Sequence, residues 1–417
     1  MKKLKLFAVA LFIAGGFGLT SCGDDAPAKS DVTLSLNANS IGDNFTVTSG
    51  KYVFTDVSTG LETVVDYASA SMVTNLFDGL YNVTFIGEAT YSYTVQVGTA
   101  TETKTAEVTL QGSKTNIEVK GGTVNLALKV YPQEKNAKRD FVIAEIFAGG
   151  SYNTETAKQY NGDQYVRIYN NSDETLYADG LVLLESKFAT TQKFDYKPDI
   201  LDEAFAVQSV VRVPGNGTTY PVLPGKSIIL CDNAINHTEA LASAADLSKA
   251  DFEWYTVGTS SNPDVDNPDV PNLEIVFNYT STIWLLNKQG NRAYAIGRIP
   301  ASVSAEKYVA DYTYPYTYTT ATGTEAKPAT NSYKFPNEWI IDAVNLSPKT
   351  AYVWNITSGA LDLSYTYIGE TSSAASNATK AVVRKVASTT EEGREILQDT
   401  NNSAVDFTPS VKATLLN

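Results

Sequence analysis

A chain of 417 residues is too long for one ordinary domain and long enough to bury two or three cores. With 43% apolar and 19% charged residues it is not a disordered chain, and 27 Gly and 15 Pro spread along it exclude collagen-like or linker-only architectures. A formal charge of −14 argues against nucleic-acid binding by phosphate neutralisation, two cysteines cannot build a disulfide framework, and one histidine excludes any mechanism that needs two.

Residues 1–21 carry Lys2, Lys3 and Lys5, then the apolar run Leu6 to Leu19, then Thr20 and Ser21 ahead of Cys22. Positive charge followed by a short apolar stretch predicts a secretory signal too short to span a membrane. Leu19-Thr20-Ser21-Cys22 resembles the lipobox of bacterial lipoproteins, which implies diacylglycerol on the Cys22 thiol and an outer-membrane anchor. Loss of residues 1–21 removes three lysines and takes the charge from −14 to −17. That acidity leaves the acyl chains, rather than the protein body, to hold an anionic surface. Asp24 and Asp25 after Gly23 resemble the acidic signal that exports lipoproteins of Bacteroidota-type bacteria to the cell exterior. Their plainer reading is an acidic tether over 22–30, with Ala26 to Ser30 an irregular linker.

From Asp31 onward, β-branched and aromatic residues alternate with polar ones, as in Val32 to Leu36, Lys51 to Phe54, Tyr81 to Phe85 and Val124 to Leu128. Period-two alternation between Gly, Asn and Asp breaks predicts antiparallel sheets with one wet face, hence an all-β chain of sandwiches. Residues 31–132 read as the first unit. Gly79-Leu80-Tyr81-Asn82-Val83 resembles an edge of prealbumin-like, Ig-like or carboxypeptidase-regulatory-like sandwiches, in which the Tyr and Val enter the core. Pro132 to Arg139 is polar and charged and marks the boundary.

Residues 141–410 read as a larger unit. Phe141 to Phe147 predicts a buried strand; then come Gln164 to Glu174, Leu176 to Leu181 and Leu223-Pro224-Gly225. Asn170 and Asn171 suit a left-handed turn, and Pro224-Gly225 suits a β-turn. With Trp339 to Val344, Arg384 and Gln398 to Phe407, this order resembles the lamin-tail immunoglobulin-like domain. A lamin-tail core is much shorter, so the resemblance implies long insertions at about 187–222, 233–274 and 300–337. The whole chain, lipobox included, resembles a Bacteroidota lipoprotein family of unknown function.

The candidate sites each have a competing structural reading. His237 lacks a Gly-x-Ser-x-Gly elbow or a second imidazole, and reads as a loop or helix-start residue. Cys231 ends an apolar run and reads as a small buried hydrophobe. Asp264, Asp266 and Asp269, with Asn267 and Asn272, offer hard oxygen donors for a structural Ca²⁺, without the EF-hand order; a solvated loop is the alternative. Tyr312, Tyr314, Tyr316 and Tyr318 alternate along a predicted strand and offer a platform for a sugar or protein, or else cover the core. Pro315 cannot donate to a ladder and puts that strand at an edge or bulge.

No catalytic constellation emerges, and no cofactor is called for beyond that candidate Ca²⁺. The leading expectation is a surface-anchored, non-enzymatic binding or structural lipoprotein, accessory to a TonB-dependent receptor in an uptake complex. A glycan-binding module is the second expectation, and a carboxylate-based hydrolase the third.

Overall fold

A computed structural model describes residues 28–37, 45–97, 100–134, 139–256, 264–280, 283–320, 322–328 and 332–416. Cys22, Asp24 and Asp25 lie outside these residues. The described chain is nearly all β, as the alternation predicts, and it divides its apolar residues between two bodies.

The first body contains β1 (Lys29–Asn37), β2 (Phe45–Asp56), β3 (Glu62–Asp66), β4 (Ser71–Phe77), β5 (Gly79–Val97), β6 (Ala100–Val119), β7 (Thr123–Lys129) and β8 (Tyr131–Glu134). One sheet runs β4-β1-β7, the other β3-β2-β5-β6-β8. Alternate residues from both face inward: Val32, Leu34, Leu126 and Leu128 meet Tyr52, Phe54, Val83, Phe85, Val108 and Leu110 in one buried cluster. Tyr81 and Val83 are buried there too, as the Gly79 to Val83 pattern implied. Two boundaries move. Lys29 and Ser30 are already paired with Phe77 and Leu76, so the strand starts inside the expected linker. At the other end β8 pairs with β6 through Glu134, beyond residue 132.

The second body opens with β9 (Phe141–Phe147), buried along its whole length, and a hairpin of β10 (Ser151–Asn153) and β11 (Lys158–Tyr160). Next come β12 (Tyr165–Asn170), β13 (Leu176–Tyr177), β14 (Leu181–Ser186), β15 (Asp195–Lys197), β16 (Ala204–Arg212), β17 (Pro221–Val222) and β18 (Ser227–Cys231). They are followed by β19 (Phe252–Glu253), β20 (Glu274–Asn278), β21 (Ala293–Arg298), helix α1 (Ala305–Asp311), β22 (Thr317–Thr319), β23 (Glu325–Ala326), β24 (Tyr333–Pro336) and β25 (Ile340–Asn345). Last are α2 (Ala374–Asn377), β26 (Lys380–Arg384), β27 (Val386–Thr389), β28 (Glu395–Leu397), α3 (Ser403–Asp406) and β29 (Phe407–Lys412).

Two sheets make the sandwich: β19-β18-β12-β9-β26-β29 and β20-β16-β14-β21-β25, with β24 also paired to β16. Their inner faces interdigitate through Ile143, Val166, Ile168 and Leu230 on one side and Leu181, Leu183, Val211 and Ile296 on the other. The second sheet is buried on its outer face as well. Val182, Leu184, Phe205, Val207 and Ala295 lie under Tyr308, Tyr314, Phe335, Trp354 and Ile356. This corrects the expected insertion at 187–222: residues 204–212 are a strand of the sandwich, and only its flanks are excursions. The body also runs past residue 410, since Thr414 donates backbone and hydroxyl hydrogen bonds to the buried Glu145.

Local turn chemistry is partly as expected. Lys226 N–H donates to the Leu223 carbonyl, and Gly225 at φ +76° takes the position that Pro224 sets up. Asn170 and Asn171 are not left-handed. They are buried staples: Asn170 Nδ2 donates to the Glu174 and Val222 carbonyls, and Asn171 exchanges two hydrogen bonds with the Leu397 backbone. Asn401, at φ +51°, is left-handed, as are Ala157, Thr379 and Ser410 in the same body.

The two bodies touch through mostly polar contacts. Gln111 and Gln133 side chains both donate to the Thr400 carbonyl (3.2 and 2.5 Å), Ser113 Oγ donates to the Leu363 carbonyl (2.9 Å), and Lys129 pairs with Asp202 at 2.6 Å. The Tyr131 ring packs on Gly359, where a Cβ would collide with it.

Candidate functional site

The excursions over the outer face of the second sheet enclose a cleft of about 430 Å³. Its floor and walls are Phe188, Phe194, Tyr196, Tyr314, Trp354 and Ile356; its rim carries Lys193, Asp195 and Asp199. Packing fixes the aromatic rings. Phe188 stacks on Tyr196 at 3.9 Å between centroids, and Tyr196 lies nearly parallel to Trp354 at 5.9 Å. The Trp354 indole N–H donates to the Ala189 and Gln192 carbonyls, both at 2.9 Å, and Tyr314 OH donates to the Pro198 carbonyl at 2.6 Å. Lys193 Nζ lies 5.2 Å from the Trp354 ring centroid, within cation–π range. Burial pushes the Tyr314 and Tyr316 phenols up to about 12, so both remain neutral. Rigid aromatic faces under a charged, wet rim suit a ligand with an apolar face and polar edges.

The four alternating tyrosines do not form an exposed platform on one strand. Residues up to Asp311 are helical, with Ser304 capping α1 through its side chain, and Tyr312 ends that helix stacked on Tyr308. Only Thr317–Thr319 is strand. Tyr314 and Tyr316 are 3% and 7% exposed, so they build the core under the cleft; Tyr314 alone of the four lines it. The remaining lining residues come from segments as far apart as Phe188 and Ile356. No local pattern in the sequence could have assembled them.

Of the candidate Ca²⁺ ligands, the carboxylates of Asp264 and Asp266 are engaged separately, and Asp269 bonds through its backbone N–H. Asp264 accepts from Asn233 Nδ2, Thr256 and its neighbour Val265, Asp266 accepts from Asn272 Nδ2, and Asp269 N–H donates to Asn267. Among the described residues no three His, Cys, Asp or Glu side chains gather around a metal-sized point. His237 is buried with both ring nitrogens used: Nε2 lies 2.9 Å from the Asn233 carbonyl and Nδ1 2.7 Å from Tyr160 OH. That pairing suits a neutral imidazole which donates through Nε2 and accepts at Nδ1. Cys231 is fully buried, and burial raises its thiol pKa, which disfavours the nucleophilic thiolate.

Comparison with known proteins follows the same line. Residues 223–414 match the family described as "Protein of unknown function (DUF4876)". That agrees with the resemblance to a Bacteroidota family of unknown function. The chain is also similar to a solved DUF4876 family protein from Bacteroides thetaiotaomicron, at 23% identity and TM-score 0.55, over 92% of this chain and 96% of that one. At that identity the likeness speaks for the fold. A candidate adhesin from Bacteroides ovatus aligns at 9% identity over 77% of this chain and 91% of its own, with a TM-score of 0.18. No curated protein matches the chain significantly.

Proposed function

We propose that this protein is a non-enzymatic binding lipoprotein, held to the outer membrane through acylated Cys22, and that its ligand is a glycan seated in the aromatic cleft. The observation that carries the reading is the cleft itself. Pyranose rings present C–H faces that pack on aromatic rings, while their hydroxyls reach outward, here toward Lys193, Asp195 and Asp199. No helix among the described residues is long and apolar enough to cross a membrane, so the acyl chains of Cys22 supply the anchor in this reading. Asp24 and Asp25 then direct it to the cell exterior, where a TonB-dependent receptor is the partner that would take the glycan onward. The lamin-tail reading of the second sandwich belongs to the same proposal.

The chain without residues 1–22 should bind members of a glycan array, and Phe194→Ala, at the half-buried cleft wall, should weaken that binding about tenfold or more. An array with no hits sinks the glycan reading, and release of new reducing ends during incubation would favour a hydrolase. For the anchor, protease shaving of intact cells should digest the wild type and spare an Asp24→Ala/Asp25→Ala double variant that is still lipidated. Protection of both would remove surface exposure from the proposal.

A further inference from the structure

A second cavity, of about 280 Å³, opens at one end of the sandwich between the two sheets. It lies across the sheet from the aromatic cleft: Leu181, Leu183 and Glu185 point inward from β14, whereas Val182 and Leu184 point to the outer face. Its polar groups are built in. Glu185 is buried and accepts from Gln208 Nε2 at 2.6 Å and Tyr294 OH at 2.7 Å. Gln208 reaches it because the β14–β16 register shifts there, from Glu185 opposite Ser209 to Ser186 opposite Val207, which leaves Gln208 as the bulged residue.

Three polar atoms at this cavity have no partner among the described residues. Gln164 is 0% exposed, and its Nε2 donates to the Ala148 and Leu286 carbonyls at 2.5 and 3.0 Å. Both amide hydrogens are therefore spent, the amide orientation is settled, and Oε1 is left as a buried acceptor without a donor. Asn161 Oδ1 is the second such acceptor. Arg292 uses Nη1 on the Lys187 carbonyl at 2.7 Å, while its Nε–H has no acceptor. Leaving such groups unpaired carries their full desolvation penalty, which a ligand entering the cavity can relieve.

We infer that this pocket binds one neutral sugar ring through vicinal hydroxyls. The charged lining side chains are Glu185, Arg292 and the exposed Lys288; the first two oppose each other, so the buried wall is nearly neutral and disfavours a ligand with net charge. A hydroxyl donates to an amide oxygen and accepts from a guanidinium N–H, which is the combination left open here. Tyr279, 47% exposed on the lining, offers its ring to a sugar face, and the volume is that of one ring. The inference stands apart from the cleft and does not rest on it.

The test is saturation-transfer NMR and calorimetry on the chain without residues 1–22. The probes are glucose, galactose, mannose and xylose, with glucuronate and glucosamine as charged counterparts. At least one neutral sugar should bind, and glucuronate and glucosamine should both bind more weakly than it. Tyr279→Ala and Asn161→Ala should each weaken that sugar about 3- to 10-fold. If either variant loses thermal stability, Tyr279→Leu, which keeps the apolar volume at an exposed position, carries the test. Silence toward every neutral sugar, a preference for the charged probes, or unchanged affinity in the Tyr279 and Asn161 variants would each overturn the inference.

Discussion

His237 shows how a residue that invites a catalytic reading serves the fold. It sits beside Gly162, where a Cβ would come within 3.3 Å of the imidazole, so the ring packs tightly over the space the glycine leaves. Burial lowers its pKa below the ordinary 6.5, partly offset by its hydrogen bond to the Asn233 carbonyl and by nearby Asp163. In the unfolded chain the same histidine takes a proton near 6.5. The unfolded state therefore binds more protons as pH falls below 6.5, and stability drops until the folded-state pKa is passed. Asp163 contributes with the opposite sign. Burial raises its carboxyl above 3.8, so its contribution is full at low pH and is lost as pH rises through the folded value. Comparing wild type with His237→Gln isolates the imidazole: the variant's thermal midpoint should fall less between pH 6.5 and pH 5. Parallel curves for the two proteins would show that His237 does not titrate on unfolding. Arg384 is the other informative residue. Its guanidinium donates to the Ile143 carbonyl, to Asp342 at 2.5 Å, to the Gln398 carbonyl and to Asp399, and it lies 4.6 Å from the Phe407 ring centroid. These partners are the separated motif pieces that stood out in the sequence, brought to one point inside the sandwich.

At the scale of elements, what could be read depended on whether each strand has a wet face. β1, β2, β5 and β7 alternate because one side of the first sandwich meets water, and their inward residues follow from the pattern alone. β16 does not alternate. Ala204 to Val211 is apolar or buried at every position, since the sandwich core covers one face and the aromatic cluster the other. A strand buried on both sides lacks the period-two signal, which is why 204–212 reads as part of an insertion. The 311–319 segment misleads in the opposite way. Its polar–aromatic alternation imitates a strand, but Ser304 caps a helix that runs to Asp311, and Tyr314 turns into the core beneath the cleft. Both cavities are illegible in the sequence for one reason: Phe188 and Trp354, or Gln164 and Arg292, meet only after the sheets have formed.

For the whole molecule, the question is whether the two bodies depend on each other. Each has its own apolar cluster: residues 32–130 supply one, and residues 141–416 supply the others. What joins them is mostly hydrogen bonds from Gln111, Ser113 and Gln133, the partly exposed Lys129–Asp202 pair, and one ring on a glycine. Neutral hydrogen bonds contribute about 0.5–1.5 kcal/mol each, and an exposed ion pair about 0–1 kcal/mol. Such a seam orients the bodies without being needed to fold either. Fragments 28–134 and 139–417, expressed separately, should therefore each unfold cooperatively in urea. The larger should keep its near-ultraviolet signal from Trp254 and Trp284, which are fully buried in its core. In the intact chain, Gly359→Trp should drive the Tyr131 ring off the seam. Proteolysis between Pro132 and Arg139 should then speed up, with little change in either midpoint. A 139–417 fragment that aggregates or unfolds without cooperativity would make the first sandwich part of the second one's fold rather than a unit beside it.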